Sequence, residues 1–148
     1  MATIKGGDKL GLKLGELGKK VASAKVLRVG FLEGSTYPNG TTVATVAAIQ
    51  EYGAPRAHIP PRPFFRNMIA AKKGEWPAAI ADLLKANDYD AAVTLKKTGE
   101  AVAGQLRQSI VDLVTPSLAP STIRRKGFDK PLIDTGLMLN SVAYEVKV

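Results

Sequence analysis

The sequence contains no cysteine. That excludes disulfides, thiolate nucleophiles and sulfur metal ligands together. Histidine occurs once, as His58. A catalytic triad or a histidine-based metal site would need this residue and partners that its surroundings do not offer, so His58 reads as an ordinary loop histidine. No apolar run approaches the roughly 20 residues that span a bilayer. The opening Met1–Gly7 stretch lacks the apolar h-region of a secretory signal. The chain is therefore expected to fold and remain in the cytoplasm of its host, or in something assembled there. Its glycines match neither a P-loop nor a dinucleotide fingerprint, and there is no internal repeat and no low-complexity tract.

What is present suits one domain: 148 residues, of which 45% are hydrophobic. Lys and Arg outnumber Asp and Glu by 21 to 13, giving a net charge of +8. Such an excess permits contact with nucleic acid or with an acidic protein surface without choosing between them.

Residues 8 to about 24 read as a helix, with Leu10, Leu14, Leu17 and Val21 at helical spacing and Asp8 as the N-cap. Gly11, Gly15 and Gly18 each cost this helix about 1 kcal/mol relative to alanine. It is marginal alone and expected to depend on a partner surface, becoming ordered on assembly. Lys25–Leu32 reads as a strand, and the following Glu33–Gly40 as a loop with Pro-Asn-Gly turn chemistry. Thr41 or Thr42 is expected to cap a helix from Val43 to about Tyr52, ended by Gly53. Pro55, Pro60, Pro61 and Pro63 make residues 54–63 a stiff, extended connector. Pro63 opens a helix through Phe64, Phe65, Met68 and Ile69, and Pro77 opens another with Ile80, Leu83 and Leu84. The longest helix is expected over Tyr89–Val114, with the stripe Leu95, Val102, Leu106, Ile110 and Leu113 and with Gly99 and Gly104 as weak points. Residues 116–131 read as a basic loop with one helical turn after Pro120. Asp134 is expected to cap a short helix through Leu137 and Leu139. Ser141–Val148 alternates as a last strand, expected to pair with Lys25–Leu32. The fold class expected is α+β: a small antiparallel sheet of the N-proximal and C-terminal strands, packed with several helices and carrying extended loops.

Three segments together resemble a known group. They are Val29-Gly30-Phe31-Leu32 through Gly40; Val46 to Pro55, with Glu51-Tyr52-Gly53, running into Ile59-Pro60-Pro61-Arg62-Pro63-Phe64-Phe65-Arg66; and Lys130-Pro131-Leu132-Ile133-Asp134-Thr135-Gly136-Leu137-Met138-Leu139-Asn140-Ser141-Val142. In this order they resemble the tail-completion and neck proteins of tailed phages. That group carries a helix ending in Glu-Phe/Tyr-Gly, an I-P-x-R-P-F-x-R segment and a late L-x-D-T-G-x-L-x-x-S segment. The matching positions span Val29 to Ser141, although the middle helices match only in kind. The resemblance implies a ring-forming virion component with no catalytic activity and no cofactor. Its partners would be copies of itself in a cyclic oligomer such as a hexamer, adjacent connector and tail-tube proteins, and DNA passing through the channel, with no membrane. Tail terminators, connectors and completion proteins are poorly separated by sequence.

Within those segments, Glu51, Tyr52, Arg62 and Arg66 are expected to dock a neighbouring subunit, because prolines hold the region in one conformation and Tyr and Arg are favoured anchors. Phe64 and Phe65 read as core. Arg124-Arg125-Lys126, near Lys130, form a basic patch facing an acidic partner ring, DNA or solvent. The Asp134-Thr135-Gly136 triplet also occurs in aspartic proteases, whose mechanism needs two carboxylates sharing one proton. A single copy would have to dimerise to build that pair. The competing reading from net charge alone is a nucleic-acid-binding module, although no helix-turn-helix, zinc or RNP pattern accompanies it.

Overall fold

The computed structural model describes residues 5–134 and 136–148. Thr135, the centre of the Asp-Thr-Gly triplet, and the first four residues of the N-terminal stretch lie outside the described residues. The expected strand pair is present. Strand β1 (Val26–Phe31) runs antiparallel to β2 (Val142–Lys147), in register from Val26 opposite Lys147 to Phe31 opposite Val142. Arg28 and Glu145 face each other across this register, 3.3 Å apart.

The two-stranded sheet lies on a long helix, α5 (Ala91–Asp112). A sheet this small is at best marginal alone and requires such a support. The helix starts two residues later than the sequence suggests, because Asp90 takes the N-cap position and accepts from the Val93 N–H, and it stops two earlier, where Leu113 turns extended. Leu106 and Ile110 are fully buried as expected, but the buried face also carries Thr94, Thr98, Gly99 and Ala103. Both threonine hydroxyls donate to the carbonyl four residues back, so neither is left unpaired in the core.

Gly99 is the clearest correction in this helix. A Cβ there would lie 2.5 Å from Tyr144 Cδ2 and 2.9 Å from Leu27 Cδ1. It is where β1 and β2 press onto the helix, whereas Gly104 has open space around it.

Helices α2 (Val43–Tyr52), α3 (Phe64–Lys72) and α4 (Trp76–Ala86) complete the core layer. Thr42 caps α2, its hydroxyl oxygen accepting from the Thr45 N–H. Gly53 ends it at φ +74°, with no room for a side chain: a Cβ would stand 2.8 Å from the Ile59 carbonyl oxygen. Val43, Ala47, Phe64, Met68, Ala103, Leu106, Ile110, Met138 and Val142 form the buried cluster. Phe64 meets Phe31 edge-on at 6.1 Å, a favoured aromatic geometry. Phe65, by contrast, is only partly buried and packs on the cluster's edge. The Trp76 indole N–H donates to Gln105, tying α4 to α5.

Helix α1 (Gly7–Val21) has no buried residue. Its N-cap is Gly6, not Asp8, which instead stands in the first turn. Leu10, Leu12, Leu14 and Val21 are all exposed. The polar ties to the rest of the chain lie at the helix's C-terminal end: Lys20 to Asp88 at 2.6 Å, and the Ser23 hydroxyl between Asp90 and the Ala92 N–H.

Two short helices follow α5: α6 (Pro120–Lys126) and α7 (Leu137–Asn140). Helix α7 is entered through Gly136 at φ +79° with no side-chain cap. Asp134 is therefore not the cap expected from sequence. The glycine serves a left-handed backbone here, not close packing, since its nearest neighbour would be the Asn140 amide at 3.5 Å. No described helix is long and apolar enough to cross a membrane.

Candidate interaction groove

The residues expected at a docking surface divide into an inward pair and an outward set. Glu51 is 5% exposed. It sits on the last turn of α2, and its carboxylate reaches across the connector to the start of α3. There it accepts from the Phe65 N–H at 2.9 Å and from the Arg66 N–H at 3.2 Å. These are among the amide donors that a helix N-terminus leaves unpaired, and Pro63 at the N-cap offers no side chain for them. Glu51 is thus the cap of α3, supplied from another helix, and its charge also suits the positive end of the helix dipole. Arg66 completes the unit: its Nε donates to the same carboxylate at 2.7 Å and its Nη2 to the Glu51 carbonyl. The guanidinium lies 4.9 Å from the centre of the Tyr52 ring. Tyr52 itself is 66% exposed. Of these three, Tyr52 and Arg66 are presented to solvent, at the rim of an apolar recess of about 360 Å³ bounded by Ala44, Ala48, Phe65 and Ile69.

Arg62 is the second inward residue, 5% exposed. Expected as a surface anchor, it is placed inside because its guanidinium bridges two segments. Nη1 donates to Gln50 of α2, and Nε and Nη2 donate to the carbonyls of Pro116 and Ser117. Burial lowers its pKa from the ordinary arginine value. The bridge holds the 116–119 stretch beside the proline-rich connector.

That arrangement opens a groove of about 930 Å³. One wall is the 37–41 loop, whose turn is closed by hydrogen bonds between Tyr37 and Thr41 and between Gly40 and Tyr37. The connector supplies His58, Ile59, Pro60 and Arg62, and the basic segment supplies Leu118, Thr122, Arg125 and Lys126. Leu132, Ile133, Asp134 and Met138 close the remaining side. Each of the three segments that carry the family resemblance contributes to the lining, and so does the basic loop.

The basic patch is also divided. The Lys126 ammonium donates to the Lys130 carbonyl at 2.7 Å and stands 4.9 Å from the Phe128 ring centre. Lys130 donates to the Val111 carbonyl. Both lysines therefore brace the loop against the end of α5 and against itself. Arg124 and Arg125 remain exposed. Burial lowers the pKa of Lys126; Asp134 opposes this, while Arg62 and Arg125 add to it. Tyr37, across the groove, has its hydroxyl pKa raised, first by burial and then by the Asp134 carboxylate.

Sequence reasoning missed the inward roles of Glu51 and Arg62. The available signal was the fixed spacing of an acid at a helix end before a proline-rich connector, with a helix start beyond it that has no capping side chain of its own. Among the described residues, no group of three or more His, Asp or Glu side chains is arranged to hold a metal ion. No family model, no curated protein and no solved structure matches this chain.

Proposed function

We propose that this protein is a structural component of a tailed-phage particle, forming a ring at the neck or head-proximal end of the tail that completes the tail and helps join it to the head. The observation that carries this reading is convergence. Segments at 37–41, 46–62 and 132–138, far apart in sequence and together responsible for the family resemblance, line one surface groove. Glu51, Gly53 and Arg62, which belong to those segments, brace that region from inside. The residues left outside, Tyr52, Arg66, Arg124 and Arg125, are of the types that anchor interfaces. A region pre-organised in this way loses little entropy on docking. Contacts of one surface with a different surface of the next copy close into a ring when the rotation permits.

The test is electron microscopy of lysates from the parent phage with this gene removed. Full heads beside separate tails of normal length are the expected result. Tails of uncontrolled length would assign the chain to a terminator that caps tail polymerisation. Intact infectious particles would overturn the structural role.

A further inference from the structure

The groove holds a charge imbalance that the chain itself does not resolve. Its lining carries Arg62, Arg125 and Lys126 against one carboxylate, Asp134. Arg62 is buried and Lys126 only partly accessible, and the hydrogen bonds they make go to neutral oxygens: Gln50, Pro116 and Ser117 for the one, Lys130 for the other. None of the ion pairs among the described residues includes any of the three cations. A cation held away from water without an opposite charge is unfavourable, and an anion brought beside it recovers that loss. Burial lowers the pKa of Lys126, and Arg62 and Arg125 add to this against the opposing carboxylates of Asp134 and Asp129.

The floor between these charges is apolar, with Ile59, Leu118, Leu132, Ile133 and Met138. The volume, about 930 Å³, lies within the range of roughly 300–1,000 Å³ typical of built binding pockets. We propose that this groove receives an extended peptide segment of a partner protein, with a carboxylate seated by Arg125 and apolar side chains on either side of it resting on the Leu132–Ile133 floor. Two features favour a peptide over nucleic acid. Phosphate contacts need donors free to reach the backbone oxygens, whereas here Arg62 and Lys126 are recessed and their donors already engage carbonyl oxygens. The floor, too, asks for apolar side chains that a phosphate backbone does not have. The proposal names the chemistry of the partner for the docking role proposed above. It fails separately, since particle morphology and peptide binding are independent readouts.

The experiment is an amide-detected NMR titration of the full chain with the blocked peptide acetyl-Leu-Glu-Leu-amide, compared with acetyl-Leu-Gln-Leu-amide. Saturable shifts confined to the groove residues are expected. Binding of the glutamine peptide is expected to be about fivefold weaker, the size of one partly screened charge contact. Arg125→Gln, an exposed position with no bond to the fold, is expected to reduce the glutamate peptide to the affinity of the glutamine one, leaving the rest of the spectrum unchanged. Equal binding of the two peptides, shifts located outside the groove, or no saturable shift would each overturn the proposal. So would stronger shifts of the same groove residues with a DNA duplex of about 20 base pairs, which would make the groove a phosphate site.

Discussion

Helices α1 and α5 both carry glycines within an amphipathic pattern, and the two use them in opposite ways. In α5, Gly99 is buried and its missing side chain is the space into which Tyr144 and Leu27 pack. In α1, Gly11, Gly15 and Gly18 have nothing within 4 Å of where a Cβ would be. The leucines differ in the same way: Leu106 is fully buried, whereas Leu14 is 58% exposed. Helix propensity assigns these glycines the same cost of about 1 kcal/mol. Only the second surface decides whether a glycine is a defect or a contact, and among the described residues none of the α1 glycines meets one.

The contrast can be broken or sharpened by substitution. Leu106→Ala is expected to cost about 3 kcal/mol by cavity formation, lowering Tm by about 6–12 °C in thermal denaturation. A loss below 1 kcal/mol would mean that α5 is not the centre of the core. Gly99→Ala is expected to destabilise by about 1–2 kcal/mol net, because the clash with Tyr144 outweighs the gain in helix propensity. A stabilised Gly99→Ala variant would contradict the close approach of sheet and helix. Gly15→Ala should do the reverse locally, raising far-ultraviolet helicity and slowing amide exchange within α1 while Tm stays within about 1 °C. Leu14→Ala should change global stability by less than about 0.5 kcal/mol in the isolated protein.

The smallest effect concerns the tie at the end of α1. Lys20, by its hydrogen bond and charge, lowers the pKa of Asp88, and the pKa of Lys20 is raised in turn. The tie is therefore complete between the two groups' ordinary values. It is lost as pH falls through the depressed Asp88 value, and at the alkaline end as pH rises through the elevated Lys20 value. Amide exchange near the C-terminal end of α1 should quicken under acid relative to α5, and Asp88→Asn should remove that dependence. Equal acceleration in both helices would show that α1 is not separately tethered.

Much of this architecture is legible in sequence where local chemistry decides. Thr42 and Gly53 bracket α2 at the positions their cap preferences indicate, and the alternating residues 142–148 find the N-proximal strand. What stays hidden depends on partners distant along the chain. Glu51 looks like a surface acid until the uncapped start of α3 is placed beside it, and Arg62 looks like an anchor until the 116–117 carbonyls arrive. Asp134 has the right residue type for a cap, yet the left-handed Gly136 takes that place. The groove itself is assembled from four stretches, each of which reads separately as a loop or a helix end.

The pairing of β1 with β2 joins residues 26–31 to residues 142–147. During synthesis the first strand therefore waits for more than 100 further residues to emerge before its partner exists. Local helices can form early, but the sheet that covers Gly99 cannot close until translation has passed Lys147. Contacts separated by so much chain slow folding, and in the interval the edge of β1 that pairs with β2 stays open on the nascent chain. A ribosome stalled short of residue 142 would hold a set of helices with their lid missing, a species open to chaperones and proteases that the finished protein is not.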